Sequence, residues 1–168
     1  MKVLELCFFR HGIAVDREDP SVKSDAERPL TDDGTRKTRT AAEGLKRLDV
    51  SYDKILTSPW LRAQQTAAIL AEVLELPAPE ELPQLAGDRT PEDLLDALAH
   101  HHGRKTLLVG HEPLLSATVI HALGGGKWSL DLKKAGACSI EVDALPPRKS
   151  ATLLWHLTSR QLRLMAKG

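Results

Sequence analysis

The stretch that decides the fold is Val3-Leu4-Glu5-Leu6-Cys7-Phe8-Phe9-Arg10-His11-Gly12, near the start of the chain. Its apolar part, residues 3–9, is interrupted only by Glu5 and predicts a buried β-strand. The run lacks the small-residue cleavage site of a signal peptide. A strand that ends in an arginine, a histidine and a glycine places polar side chains and a turn at one edge of a sheet.

Further apolar runs alternate with helical patterns along the rest of the chain. Residues 54–57 and 105–109 predict two more central strands, and residues 138–142 and 153–157 predict half-buried or antiparallel strands at one side. Capping residues or prolines mark the expected helix starts, which are Thr31, Ser58-Pro59, Thr90-Pro91 and Pro113. The alternation predicts a three-layer αβα sandwich with a mostly parallel central sheet and an antiparallel edge. We expect one domain over residues 1–168.

The composition excludes several classes of protein. The 168 residues include 23 Lys and Arg and 23 Asp and Glu, which gives a formal net charge of zero. Without a general positive field, the chain is not expected to bind nucleic acid or an anionic membrane, and an anion must be held by a local cluster. Cys7 and Cys138 lie far apart within strand-like runs, which favours a reducing compartment over a disulfide scaffold. We expect a cytoplasmic protein with no membrane span.

Three polar segments follow the predicted central strands. They are Arg10-His11-Gly12, Ser58-Pro59-Trp60-Leu61-Arg62 and Gly110-His111-Glu112-Pro113. Ligands of open parallel sheets bind beyond the carboxyl ends of the strands, so two histidines and two arginines are expected to converge. Arginine forks beside helix N-termini suit a dianion such as a phosphoryl group. Nearby cations keep an imidazole neutral, so its lone pair is free to attack phosphorus, and no metal or other cofactor is required.

Four ordered blocks resemble a known family. The blocks are Arg10-His11-Gly12, Arg28-Pro29-Leu30-Thr31 with Gly34, Ser58-Pro59-Trp60-Leu61-Arg62-Ala63-Gln64-Gln65-Thr66, and Leu108-Val109-Gly110-His111-Glu112-Pro113. Together they resemble the histidine phosphatase superfamily, which is also called phosphoglycerate mutase-like. The small size resembles the SixA-like phosphohistidine phosphatase branch of that superfamily. The resemblance covers nearly the whole chain, and four blocks in the family's order are a specific signal.

The resemblance implies a role for each matching residue. It implies that His11 is the nucleophile and becomes phosphorylated. The side chains that it implies for phosphoryl binding are Arg10, Arg28, Arg62 and His111. His111 would also stabilise the transition state. Gly12 would let the backbone turn sharply behind the nucleophile, at a position where a side chain would obstruct the phosphate.

One segment departs from the larger members of the family, which supply a glutamate general acid between the second and third helices. Here that segment is Glu80-Glu81-Leu82-Pro83-Gln84-Leu85-Ala86-Gly87-Asp88, and Gln84 lies near the expected position of the acid. The candidate acids in it are Glu80, Glu81 and Asp88. An alkoxide leaving group needs a proton, whereas an imidazole, with a pKa of about 6.5, leaves readily. A missing acid would therefore favour phosphohistidine over ordinary phosphate esters.

The favoured function is hydrolysis of phosphohistidine on a partner protein, and three alternatives stay open. A phosphatase of small phosphate esters or polyphosphate would need Glu80, Glu81 or Asp88 as its acid. A non-catalytic phospho-binding module would need the arginines but no nucleophile, and the pair His11 and His111 argues against it. A zinc hydrolase is the weakest alternative, because the sequence has no His-x3-His or clustered His/Glu spacing.

Overall fold

The computed structural model describes residues 3–168, and in this part of the chain it contains one six-stranded sheet. The strands are Leu4–Arg10 (β1), Lys54–Thr57 (β2), Glu80–Glu81 (β3), Lys105–Gly110 (β4), Ala137–Val142 (β5) and Thr152–Leu157 (β6). Their order is β3-β2-β4-β1-β5-β6. The first four strands are parallel to one another, and β5 is antiparallel to both of its neighbours. The predicted mostly parallel sheet with antiparallel strands at one side is confirmed.

Helices cover both faces of this sheet. They are Asp32–Lys46 (α1), Leu61–Leu74 (α2), Pro91–His101 (α3), Leu114–Ala122 (α4) and Ser159–Met165 (α5). Residues of α1, α2 and α5 pack on one face, and residues of α3 and α4 pack on the other. The predicted αβα sandwich is therefore confirmed. Over residues 3–168, no helix is both long enough and apolar enough to cross a membrane.

The side chains of β1 alternate between the two halves of the core. Leu6 and Phe8 pack with α3 and α4, whereas Cys7 and Phe9 pack with the helices on the opposite face. All four side chains are fully buried. Successive residues of a strand point to opposite faces, so a sheet that is covered on both sides needs a nearly continuous apolar run. Burial also raises the pKa of the Cys7 thiol, which keeps it protonated and unreactive.

Two of the predicted helix caps are confirmed. The Thr31 side chain accepts a hydrogen bond from the backbone N–H of Gly34, and Thr90 accepts one from Asp93. Each hydroxyl satisfies one of the free N–H groups of the first helical turn. Pro113 lies one residue before α4 rather than opening it.

The predicted start of α2 is wrong. The helix begins at Leu61, three residues after Ser58, and the N-cap residue Trp60 makes no side-chain cap. The Ser58 hydroxyl accepts from the backbone N–H of Trp60 and lies 2.7 Å from Nε2 of His111. Ser58 therefore contacts a histidine of the polar edge instead of capping the helix.

Two elements were not predicted from the sequence. The strand β3 has only two residues, and both are exposed, so no apolar periodicity marks it. The helix α5 follows a capping box between Thr158 and Gln161, which is a visible N-terminal signal. Close packing fixes α5 on α1, because a Cβ at Gly44 would lie 1.8 Å from the backbone oxygen of Leu162.

The register of the sheet brings several connections to one edge. Arg10 pairs with Gly110 at the ends of β1 and β4, and Thr57 of β2 pairs with Val109. The antiparallel strand β5 begins at the same level, where Ala137 pairs with Phe9 of β1. This edge therefore collects the loops that follow β1, β2 and β4, together with the loop that precedes β5.

Candidate active site

A cavity of about 330 Å³ lies at this edge of the sheet. We call four of its lining residues the floor: Arg10, His11, Arg62 and His111. We call five charged residues around them the rim: Arg17, Asp25, Arg28, Glu112 and Lys134. Trp60, Gly87 and Pro113 complete the lining. The structure thus brings together all of the side chains that the sequence placed at a phosphoryl group.

The hydrogen bonds of His11 define which ring nitrogen carries its proton. Nδ1 lies 2.7 Å from the carbonyl oxygen of Gly12, and this oxygen can only accept, so Nδ1 is the protonated nitrogen. Nε2 accepts from Nε of Arg62 at 3.2 Å. The unprotonated nitrogen of His11 therefore lies beside a guanidinium group, where an oxyanion bound to that arginine would come close to it.

Both histidines of the floor are neutral at physiological pH. Burial lowers the pKa of His11 to about 3, and the charges of Arg62 and Arg10 act in the same direction. Burial is the main cause that lowers the pKa of His111 to about 2, and the charges of His11 and Arg62 act in the same direction. The ring centroids of the two histidines are 5.0 Å apart. Neutral His11 keeps the lone pair that a nucleophile needs.

Ser58 sets the state of His111. The Ser58 oxygen accepts from the N–H of Trp60, so its own proton is available to Nε2 of His111 at 2.7 Å. When Ser58 donates this proton, the proton of His111 is on Nδ1, which is buried and has no hydrogen-bond partner among residues 3–168. The Trp60 ring packs against His111 with centroids 4.5 Å apart. In this tautomer Nδ1 of His111 is an N–H donor with no partner within the described residues.

The two floor arginines are fixed by backbone oxygens. Arg10 donates from Nη1 to the carbonyl of Leu132 at 3.0 Å. Arg62, which is only 2% exposed, donates from Nη1 to the carbonyl of Asp25 at 2.6 Å. The Arg62 guanidinium also lies 4.8 Å from the centroid of the Trp60 ring. Arg62 also contacts the Asp25 carboxylate at 3.2 Å. The cavity lining nevertheless has five cationic side chains against two carboxylates, so the floor attracts anions.

The rim arginines are held mainly by a carboxylate. Arg28 donates from Nε to Asp25 at 2.7 Å and from Nη1 to the carbonyl of Val15 at 2.8 Å. Nε of Arg17 lies 3.1 Å from the same Asp25 oxygen. Arg28 therefore lies beside the floor, as expected. Arg17 and Asp25 were not singled out by the sequence, because they lie in the long connection between β1 and α1, which has no regular pattern.

Lys134 reaches the rim from the opposite side of β1. It lies in the turn that precedes β5, and β5 starts at the edge where β1 ends. Burial and the charges of Arg10, Arg28 and Arg62 lower the pKa of Lys134. Lys133 and Lys134 are visible in the sequence just before β5. Placing Lys134 at the cavity, however, requires knowing that β5 is antiparallel to β1.

The structure gives a different reason for glycine at position 12. Gly12 does not line the cavity, and its φ is not positive. A Cβ there would lie 2.2 Å from Oγ1 of Thr38. Its N–H donates to Oγ1 of Thr66 at 3.0 Å, and its carbonyl holds His11. Gly12 therefore permits close packing on α1, and its carbonyl orients the His11 ring.

The candidate acids of the β2 to β4 segment lie outside the cavity. Glu80 pairs with Lys54 at 3.0 Å, and Asp88 lies 3.5 Å from Arg89. Neither these residues nor Glu81 or Gln84 lines the cavity, to which this segment contributes only Gly87. The carboxylate acid that the small-ester alternative requires is therefore not found among the residues that line the cavity. The two carboxylates at the cavity are Asp25 and Glu112.

The zinc-hydrolase alternative lacks a ligand set. In the part of the chain that the structure describes, no three His, Cys, Asp or Glu side chains are grouped so as to hold a metal ion. His11 and His111 are surrounded by arginines, and this field disfavours a further cation.

Comparison with known proteins identifies the family. A sequence profile of the histidine phosphatase superfamily, branch 1, matches residues 6–86. The chain is 33% identical over 126 residues to the phosphohistidine phosphatase SixA of Escherichia coli (strain K12), which covers 73% of this chain and 76% of SixA. It is 41% identical over 146 residues to an uncharacterised protein of Picosynechococcus sp., which covers 84% of this chain and 87% of that relative.

Solved structures agree with this assignment. The structure of the protein histidine phosphatase SixA complexed with tungstate superposes with a TM-score of 0.80 at 27% sequence identity. The match covers 95% of this chain and 99% of the other. The sequence blocks, the fold and these matches show that the chain belongs to the histidine phosphatase superfamily and is a phosphatase.

Proposed function

We propose that this phosphatase hydrolyses phosphohistidine on a partner protein through a phosphoryl group carried by His11. The observation that carries the proposal is the geometry of the floor. The unprotonated Nε2 of His11 lies 3.2 Å from Nε of Arg62, inside an arginine-rich cavity whose size suits a phosphorylated side chain. A nucleophile beside oriented cations supplies what phosphoryl transfer requires, namely positioning and neutralisation of the equatorial oxygens.

The reaction proceeds in two transfers. In the first, the lone pair of His11 Nε2 forms a bond to phosphorus while the bond from phosphorus to the substrate nitrogen breaks. The leaving imidazole takes that electron pair and departs neutral, since its second nitrogen carries a proton. In the second, water attacks phosphorus, the bond to His11 breaks, and phosphate and a proton leave. His11 returns to its neutral state.

Each floor residue has a part in these transfers. Arg10 and Arg62 bind the phosphoryl oxygens, and Nδ1 of His111 donates to one of them. These donors are already oriented before substrate arrives, by Leu132, Asp25 and Ser58. Preorganised donors stabilise the charge that spreads over the phosphoryl oxygens in the transition state. Arg28 extends the binding surface at the rim.

The preference for phosphohistidine follows from the state of the two carboxylates at the cavity. Arginine contacts hold the pKa of Asp25 below its usual range. Both oxygens of Glu112 are bonded to Ser116, one to its backbone N–H at 2.9 Å and one to its hydroxyl. Asp25 is thus held as an anion, and both oxygens of Glu112 already accept hydrogen bonds. These contacts favour a leaving group that needs little protonation. The relative SixA is named as a phosphohistidine phosphatase, which supports the same substrate class.

The test compares two substrates in buffer containing a strong chelator. One is a phosphotransfer domain phosphorylated on histidine, and the other is glycerol phosphate, an ester with an alkoxide leaving group. We expect release of phosphate from the domain at least about 100-fold faster than from the ester, because the site lacks a free acid. Alkaline quenching of the reaction should trap a phosphoryl group on His11.

Two variants make the test specific. His11→Ala should abolish turnover and the trapped phosphoryl group. His121→Ala, which removes a histidine of α4 outside the cavity, should change neither. Equal rates on both substrates would support the phosphatase of small esters instead. Binding of the phosphorylated domain without turnover would support the phospho-binding module.

A further inference from the structure

One carboxylate that the proposed reaction does not use lies within the arginine cluster. Asp25 begins a short 3-10 turn, Asp25–Glu27, between β1 and α1. Its carboxylate accepts from Arg28 at 2.7 Å, and it lies 3.1 Å from Arg17 and 3.2 Å from Arg62. Its backbone carbonyl also accepts from Arg62 at 2.6 Å. A single residue thus contacts three guanidinium groups of the cavity.

The negative charge of Asp25 is permanent at neutral pH. Partial burial raises the pKa of its carboxyl, but the hydrogen bond from Arg28 and the charges of Arg62, Arg28 and Arg17 lower it by more. The net effect is a pKa below the usual range. Asp25 is therefore an internal anion of the cavity and does not serve as a proton donor.

Asp25 occupies the donors that a second anionic group of a substrate would use. Arg17, whose side chain is 70% exposed, and Arg28 both direct Nε to it. The guanidinium of Arg62 links Asp25 rigidly to the nucleophile, because Nη2 contacts Asp25 and Nε contacts His11. A second anion next to phosphorus would meet a fixed carboxylate and arginines that are already paired.

We propose that Asp25 is a specificity-determining residue, which selects phosphoryl groups attached to a neutral or cationic group and rejects those with a second anion beside phosphorus. Phosphoimidazole belongs to the first class, and pyrophosphate and 3-phosphoglycerate belong to the second. Like charges that are brought together in a partly desolvated site repel strongly. This inference rests on the proposed function, because it explains how the same cavity prefers phosphohistidine.

The test measures kcat/KM of wild type and Asp25→Asn for phosphoimidazole and for pyrophosphate. Asn keeps the size of the side chain and removes its charge. We expect the ratio of the two values to move towards pyrophosphate by about ten-fold or more. The matched control is Glu27→Gln, which removes an exposed carboxylate of the same turn outside the cavity. It should leave the ratio unchanged, and an unchanged ratio in Asp25→Asn would overturn the proposal.

A binding measurement separates this proposal from the proposed function. Calorimetric titration with pyrophosphate and with phosphate requires no turnover, and Asp25→Asn should bind pyrophosphate about ten-fold more tightly while phosphate gains less. A wild type that leaves the phosphorylated domain intact would refute the proposed function, and the titration would still decide the role of Asp25. Equal gains for the two anions would refute the role of Asp25.

A second variant covers the case in which Asp25→Asn does not fold. Arg17→Ala removes an exposed arginine and should weaken pyrophosphate binding by less than about two-fold, because Arg17 is paired with Asp25 and not free for the ligand. A loss of about ten-fold would show that Arg17 binds the second anion directly, and the proposal would be wrong.

Discussion

The floor and the rim of the cavity are built in different ways. Three floor residues, His11, Arg62 and His111, are at most 5% exposed, and they follow buried strands or begin a helix. The rim residues lie in loops, and the side chains of Arg28, Asp25 and Arg17 are 13%, 30% and 70% exposed. The floor side chains are held mainly by backbone oxygens or by Ser58, and among them only Arg62 also contacts a carboxylate, that of Asp25. The rim arginines are held largely by Asp25.

Under the proposed function, we infer that this difference separates the residues of the chemical step from those that select the substrate. A side chain held by a buried strand end has one position, and attack on phosphorus demands that accuracy. A side chain that is held by another charged side chain can be replaced without moving His11. Its replacement changes only the electrostatic field of the cavity. We therefore expect floor substitutions to act on kcat and rim substitutions to act on the selection of substrates.

The largest expected effect comes from changing one arginine in each region to lysine. Arg62→Lys removes a planar group that contacts His11 and both acceptors of Asp25 at once. A lysine cannot make these contacts together, so kcat should fall by about 100-fold to 1,000-fold. Arg28→Lys should lower kcat/KM by only about ten-fold. Steady-state release of phosphate from the phosphorylated domain measures both.

The control for this pair is Arg36→Lys, which changes an exposed arginine of α1 outside the cavity and should keep the wild-type rate. Equal losses of kcat in Arg62→Lys and Arg28→Lys would contradict the distinction between floor and rim.

The sequence predicted the floor because its residues come directly after strands that the pattern identifies. Residues 3–9 and 105–109 are nearly continuous apolar runs, and a parallel sheet brings their ends together. The ordered blocks then related these positions to a family. Ser58 was wrongly predicted to cap α2, but it was predicted at the correct edge of the sheet. Its hydroxyl contacts His111 instead of a helix N-terminus, because α2 begins three residues later.

The rim was not predicted because its residues depend on tertiary structure. Arg17 and Asp25 lie in a connection without periodicity, and their pairing comes from the way this loop folds over the cavity. The position of Lys134 at the rim could be predicted only from the antiparallel direction of β5. Glu112 was visible beside His111, but its contacts with Ser116 were not. Local patterns determine strands and helices, whereas charged loops are organised by one another.

A second prediction tests how the floor depends on the core. Gly12→Ala places a Cβ 2.2 Å from Oγ1 of Thr38, and overpacking of this kind costs about 1–3 kcal/mol of unfolding free energy. The variant should also lose activity, because the carbonyl of Gly12 orients His11. The double variant Gly12→Ala, Thr38→Ala removes the clashing hydroxyl and should recover most of the stability. Urea unfolding and the rate of phosphate release measure the two effects.

A double variant no more stable than Gly12→Ala alone would contradict the proposed clash. Thr38→Ala by itself is the control, and it should cost less than Gly12→Ala, because Oγ1 of Thr38 has no hydrogen-bond partner within residues 3–168.

The smallest expected effect is the pH dependence that the floor gives to stability. The pKa of His11 is about 3 in the folded chain, against about 6.5 when unfolded. Between these values the unfolded chain binds a proton that the folded cavity does not accept. His11 therefore lowers the unfolding free energy by about 1.4 kcal/mol for each pH unit below 6.5.

His11→Asn removes this titration, so its unfolding free energy should fall less steeply between pH 7 and pH 5 than that of wild type. Urea unfolding at pH 5, 6 and 7 measures the slope. Thr66→Val is the control, because it removes the hydroxyl that accepts from Gly12 without removing a titratable group. Its stability should be lower at every pH, with the wild-type slope. Parallel plots of unfolding free energy against pH for wild type and His11→Asn would mean that His11 binds a proton equally well in the folded and in the unfolded chain. The floor would then lack the low-dielectric character that distinguishes it from the rim.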